Sequence, residues 1–64
     1  MLPPFTRVKM RSNIRGPDGV LHRDVYGRVI GFSHDDEGLV VHTVRLDDDL
    51  GEVEAYSDEI ITLD

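Results

Sequence analysis

The sequence predicts an all-β fold: one five-stranded small barrel with a long first loop and a single 3₁₀ turn before the last strand. Three observations carry this. Apolar and polar residues alternate at period two, and no window keeps a helical apolar stripe for three turns. Clusters of Gly, Asp and Pro punctuate the alternating runs at short intervals. A chain of 64 residues holds one domain, spanning residues 1–64, and at that size closing the sheet is the way to remove exposed edges.

The elements follow in order. Residues 5–10 alternate, with Thr6, Val8 and Met10 on one face and Arg7 and Lys9 on the other, a half-buried first strand. Residues 12–24 have almost no pattern. Pro17 lacks a donor and Gly16 and Gly19 permit positive φ, so this stretch reads as a long irregular loop, a length that is often functional. Residues 25–32 are β-branched and aromatic and form the second strand; Gly27 and Gly31 point to sharp coiling or close backbone approach. His34, Asp35, Asp36, Glu37 and Gly38 make a polar turn, with Gly38 at the left-handed position.

Residues 39–46 are the third strand, with Val40, His42, Val44 and Leu46 on one face. Asp47, Asp48, Asp49, Leu50 and Gly51 turn the chain into a fourth strand, 52–56, with Val53 and Ala55 inward. Ser57, Asp58 and Glu59 make one turn of 3₁₀ helix with Ser57 as its cap, and residues 60–63 close the fold. The expected core is Val8, Val29, Val44, Leu46, Val53, Ala55 and Ile61. Leu39, Val41, Tyr56 and Ile60 remain as surplus apolar surface, which in a domain with so thin a core favours a homo-oligomer.

Charge is distributed unevenly. Residues 1–32 carry six cations against two acids, a net +4, whereas residues 33–64 carry Arg45 against eleven acids, a net −10. The plainer expectation is that the halves pair within the fold and neutralise each other. The sharper one is an acidic face that docks a basic protein partner and repels nucleic acid. The overall charge of −6 argues against a nucleic-acid-binding barrel, which carries a basic stripe. No run is long enough to cross a bilayer, and the absence of cysteine fits a reducing compartment, so a soluble, cytoplasmic protein is expected.

Across nearly its whole length the chain resembles SH3-like small barrels, a group that includes many short uncharacterised bacterial proteins and subunit IV of photosystem I. The resembling segments are Thr6-Arg7-Val8-Lys9-Met10, Gly27-Arg28-Val29-Ile30-Gly31-Phe32, Thr43-Val44-Arg45-Leu46-Asp47 and Asp58-Glu59-Ile60-Ile61-Thr62-Leu63. Gly31-Phe32 and residues 51–56 are also similar to plasmid type II dihydrofolate reductase, which works as a tetramer around a pore. That family has Val-Gln-Ile-Tyr on its fourth strand, where this chain has Val53-Glu54-Ala55-Tyr56, and its pore lysine falls at Met10. Four copies of Glu54 would set like charges around a pore for an anionic cofactor.

No catalytic constellation can be assembled: Ser12, Ser33 and Ser57 lie in turns, and no motif sets a histidine beside them. His22, His34 and His42 match no metal-ligand spacing; His42 reads as a partly buried histidine with one hydrogen bond, and no cofactor is expected. The run at Asp47–Asp49 lacks the spacing of a calcium loop and reads as a solvated hairpin tip. The expectation is therefore a non-catalytic protein-binding or accessory module: an acidic adaptor, an inhibitor or a complex subunit. Its contact residues would be Arg15, Asp18 and Arg23 of the long loop with Asp35, Asp36, Glu37, Asp47, Asp48 and Asp49 of the acidic turns. The alternative is a homo-oligomeric small-molecule-binding barrel of the reductase kind.

Overall fold

A computed structural model describes residues 5–63. Its elements are the strands β1 (Arg7–Met10), β2 (Ile14–Arg15), β3 (Leu21–His22), β4 (Tyr26–His34), β5 (Val40–Leu46) and β6 (Glu52–Tyr56), a 3₁₀ turn (Ser57–Glu59) and β7 (Ile60–Thr62). The five longer strands form one antiparallel sheet in the order β6-β5-β4-β1-β7, and β2 pairs with β3 in a separate hairpin. The all-β expectation holds. Closure does not follow from this ladder, because no strand pairing joins β6 to β7 among the described residues.

Strand chemistry explains the pairing. Val29 faces Val44 and Val44 faces Val53, so three β-branched side chains cross the sheet on its inner face. Val8, Met10, Val25, Val29, Val44, Leu46, Ala55 and Ile60 form the buried cluster, with Ile14, Leu50 and Val53 packed against it. Each fully buried valine contributes about 1.5–3 kcal/mol relative to exposure, which makes this small cluster the main source of stability.

Of the two strand glycines, Gly27 is the one its surroundings require. At Gly27 the neighbouring strand comes so close that an added Cβ would lie 2.6 Å from the Arg45 carbonyl oxygen. Gly31 follows a β-bulge: Val29 pairs with Val44 and Gly31 with Thr43, which leaves Ile30 as the extra residue. The bulge shifts the inward parity of β4, so Phe32 lies opposite inward-facing His42.

Five expectations need correction. Val41, expected among the surplus apolar surface, is buried, 7% exposed. The stretch 12–24 is not structureless: Gly16, Pro17, Asp18 and Gly19 make a tight turn between β2 and β3. The Gly19 amide donates to the Gly16 carbonyl at 3.0 Å, and the Gly16 amide to the Val20 carbonyl at 2.9 Å. Two-residue strands are too short to register as alternation; Ile14 and Leu50 hold the hairpin to the core. In β7 the faces are reversed: Ile60 is 5% exposed and Ile61 36%. The 3₁₀ turn delivers Ile60 inward as Met10's pairing partner. Ser57 does not cap that turn. The N-cap is Tyr56, whose amide donates to the Glu59 carboxylate at 2.8 Å. His42 is wholly buried rather than partly.

No helix among the described residues is long and apolar enough to cross a membrane.

Candidate functional site

The turn between β4 and β5 is built by one carboxylate. The Asp35 side chain accepts from the amides of Glu37 and Leu39, both at 2.9 Å, through one oxygen. Its other oxygen accepts from the Tyr56 hydroxyl, also at 2.9 Å. The Gly38 amide closes the turn on the Asp35 carbonyl at 3.0 Å, and Gly38 takes the left-handed φ of +84° that lets the chain reverse. The Leu39 amide foremost, with the Tyr56 hydroxyl and the Glu37 and Gly38 amides, holds the Asp35 carboxyl below its usual range against a partial loss of hydration. Asp35 in turn is the main reason that the Tyr56 phenol is raised, with Glu59 and Glu54 adding to it.

That bond joins two segments far apart in sequence. Val41 of β5 pairs with Tyr56 of β6, so the 3₁₀ turn emerges beside the Asp35 turn. Between them lies an open groove of about 740 Å³, lined by Asp35, Asp36, Glu37, Leu39, Val40, Tyr56, Ser57 and Asp58. Leu39 is 55% exposed and Tyr56 39%, so both offer apolar surface to the groove. Asp36, Glu37 and Asp58 are exposed around it.

The site residues expected from sequence separate into two ends. Asp35, Asp36 and Glu37 belong to the groove. Asp47, Asp48 and Asp49 sit at the other end of β5, seven residues away, or roughly 20 Å of extended chain. Arg23 lies there with Asp47, Asp48 and Leu50 around a small depression. Arg15 and Asp18 serve their own turn: the Arg15 guanidinium donates to the Gly19 carbonyl, and the Asp18 carboxylate accepts from the Val20 amide at 3.0 Å. The residues expected to form one contact surface thus occupy opposite ends.

Asp47 is not a solvated tip. Arg7 grips it with two parallel bonds of 3.0 and 2.8 Å. That guanidinium, with Arg28 more distantly, holds the Asp47 carboxyl below its ordinary range. Asp48 and Asp49 are exposed and carry successive left-handed φ of 60° and 59° in a tight hairpin turn. The two halves neutralise each other only partly: Arg7–Asp47 joins them, whereas Lys9–Asp24 and Arg45–Glu52 stay within one half.

Leu39, Val40, Tyr56, Ser57 and Asp58 were missing from the sequence-based site. The signal for two of them was present, since Leu39 and Tyr56 stood out as apolar residues beyond the needs of the core. Met10, the position of the reductase pore lysine, is buried in the core, and Glu54 is exposed on β6. Among the described residues no three His, Asp or Glu side chains come together to hold a metal ion. Comparison with protein-family models, curated proteins and solved structures gave no match to this chain.

Proposed function

We propose that this chain is a non-catalytic, SH3-like protein-binding module that takes a basic segment of a partner protein into the groove between the Asp35 turn and the 3₁₀ turn. The observation that carries the reading is the pairing of exposed Leu39 and Tyr56 with the rim acids Asp36, Glu37 and Asp58. Apolar anchors supply most of the affinity of such contacts, while rim charges set approach rate and partner choice. Asp35 is occupied by its own loop and acts as a positioning residue: it holds Leu39 and Tyr56 at fixed separation, so little order must be gained on binding.

The SH3-like part of the proposal is supported by the sheet order, with β1 between β4 and β7. A hairpin-bearing first connection and a 3₁₀ turn before the final strand also support it. An adaptor, an inhibitor or a subunit of a larger complex would all use such a surface, and the reducing interior of a cell suits a cysteine-free chain.

The test uses a short fluorescent peptide with arginines on either side of a leucine, followed by anisotropy. Native chain should bind it, more weakly as salt rises, because screening acts over about 8 Å at physiological ionic strength. Leu39→Lys should weaken binding by about tenfold or more, equivalent to losing one anchor. Asp48→Asn, which makes the same one-unit charge change at the far end of β5, should leave it within about twofold. Equal affinity for the native and Leu39→Lys chains would refute the groove as the binding surface.

A further inference from the structure

The β2–β3 hairpin carries the chemistry opposite to the groove. Val20 is 52% exposed and Leu21 51%, and Arg11, Arg15 and Arg23 are exposed on or beside the same hairpin, with Asp18 in its turn and Asp24 directly after Arg23 as the acids. An exposed apolar pair with three arginines around it lies at the end of the molecule where Asp48 and Asp49 also stand, and an apolar groove flanked by acids opens at the other. The hairpin is packed on the Leu50 side: a Cβ on Gly16 would meet the Leu50 side chain at 3.1 Å. That is the end of β5 remote from the Asp35 turn, so a chain cannot place its own hairpin in its own groove.

We infer that a second copy of this chain is an occupant of the groove, its β2–β3 hairpin seated against Leu39 and Tyr56 of the first, in a head-to-tail association. This rests on the reading of the groove as a binding surface and extends it to a specific occupant. Symmetry selects the arrangement. A two-fold dimer through the grooves would oppose Asp36, Glu37 and Asp58 to their own copies. A two-fold dimer through the hairpins would oppose Arg15 and Arg23 to theirs. The heterologous contact is the one in which unlike charges meet and exposed apolar side chains are covered on both partners. Because each such pair retains one free hairpin on one copy and one free groove on the other, further copies can add, and such contacts generate rings or open chains. A basic segment of another protein would then compete with self-association for the same groove.

Sedimentation velocity from about 10 μM to about 1 mM, the range of weak specific contacts, tests this directly. Native chain should show a mass that rises with concentration and falls with added salt. Leu39→Lys spoils the groove and Leu21→Glu spoils the hairpin; both positions are exposed, so circular dichroism should match the native chain. Each variant alone should remain monomeric. Mixed at equal amounts, they should form a one-to-one dimer and stop there, because one intact hairpin and one intact groove remain. A native chain monomeric throughout, single variants that associate like the native chain, or a mixture that stays monomeric would each overturn the inference. The arginine–leucine peptide keeps this failure separate from failure of the groove. Its binding to the Leu21→Glu chain, where the groove is intact, while the mixture stays monomeric would refute self-association and leave the groove standing. Absence of that binding would refute both.

Discussion

Gly27→Ala should be among the most damaging single-methyl additions to this chain. Gly27 is buried in β4, flanked across the sheet by Val8 and Leu46. The added carbon would stand 2.6 Å from the Arg45 carbonyl oxygen and 2.8 Å from a Val44 methyl. Neither neighbour can yield easily: the first is backbone in the sheet ladder and the second is a core side chain. Overpacking of this kind costs about 1–3 kcal/mol, offset by about 0.4–1 kcal/mol from the stiffer unfolded chain that alanine provides. A net loss of roughly 1–2 kcal/mol is a large part of the total for so small a domain. At roughly 4–8 °C per kcal/mol, the midpoint should fall by about 5–15 °C.

The control is Gly31→Ala, which meets nothing within 4 Å and does not need the left-handed region. It should be neutral or stabilising by up to about 1 kcal/mol. Thermal and urea unfolding of both variants, with an unchanged denaturant slope, gives the comparison. A Gly27→Ala chain within about 1 °C of native, well inside the shift for one kcal/mol, would show that β4 and β5 are not so closely apposed.

Other outcomes follow from the same geometry. Val44→Ala, which empties a wholly buried position, should cost about 1–3 kcal/mol, and an unchanged midpoint would contradict its place in the core. Asp49→Gly should stabilise by about 0.5 kcal/mol, since it relieves a non-glycine residue at φ 59° in the β5–β6 turn; destabilisation would mean that its side chain matters more than its backbone. The Asp35–Tyr56 bond should show in the pH dependence at both ends. The carboxyl lies below its ordinary value when folded, so its stabilisation is present above about pH 4 and is lost as pH falls through the depressed value. The phenol is raised, so its share is complete below about pH 10 and is lost as pH rises through the raised value. The difference in midpoint between the native and Tyr56→Phe chains should therefore shrink toward both extremes, and a difference constant with pH would refute the bond.

Much of the fold was legible because strand and turn signals are local. Alternation placed β1, β4, β5, β6 and β7 within a residue or two, and Gly38 marked its turn correctly since only glycine takes that φ without cost. Gly27 marked the close backbone approach, whereas the bulge at Ile30 carried no signal of its own. The β2–β3 hairpin escaped because Ile14 and Leu21 lie in strands of two residues, too short for any period to show.

What the sequence by itself determined is therefore the class of fold, the turn positions and the sign of charge along the chain, all set by neighbours within a few residues. Only the tertiary structure decided that Ile60 rather than Ile61 enters the core, because the 3₁₀ turn sets the phase of β7. Only it placed Tyr56 on Asp35 through the pairing of β5 with β6. The same pairing carried the two acidic turns to opposite ends of β5 and bound Asp47 to Arg7. A period-two pattern states which residues share a face; it contains no information on which distant turns share an end, and the groove exists at that level alone.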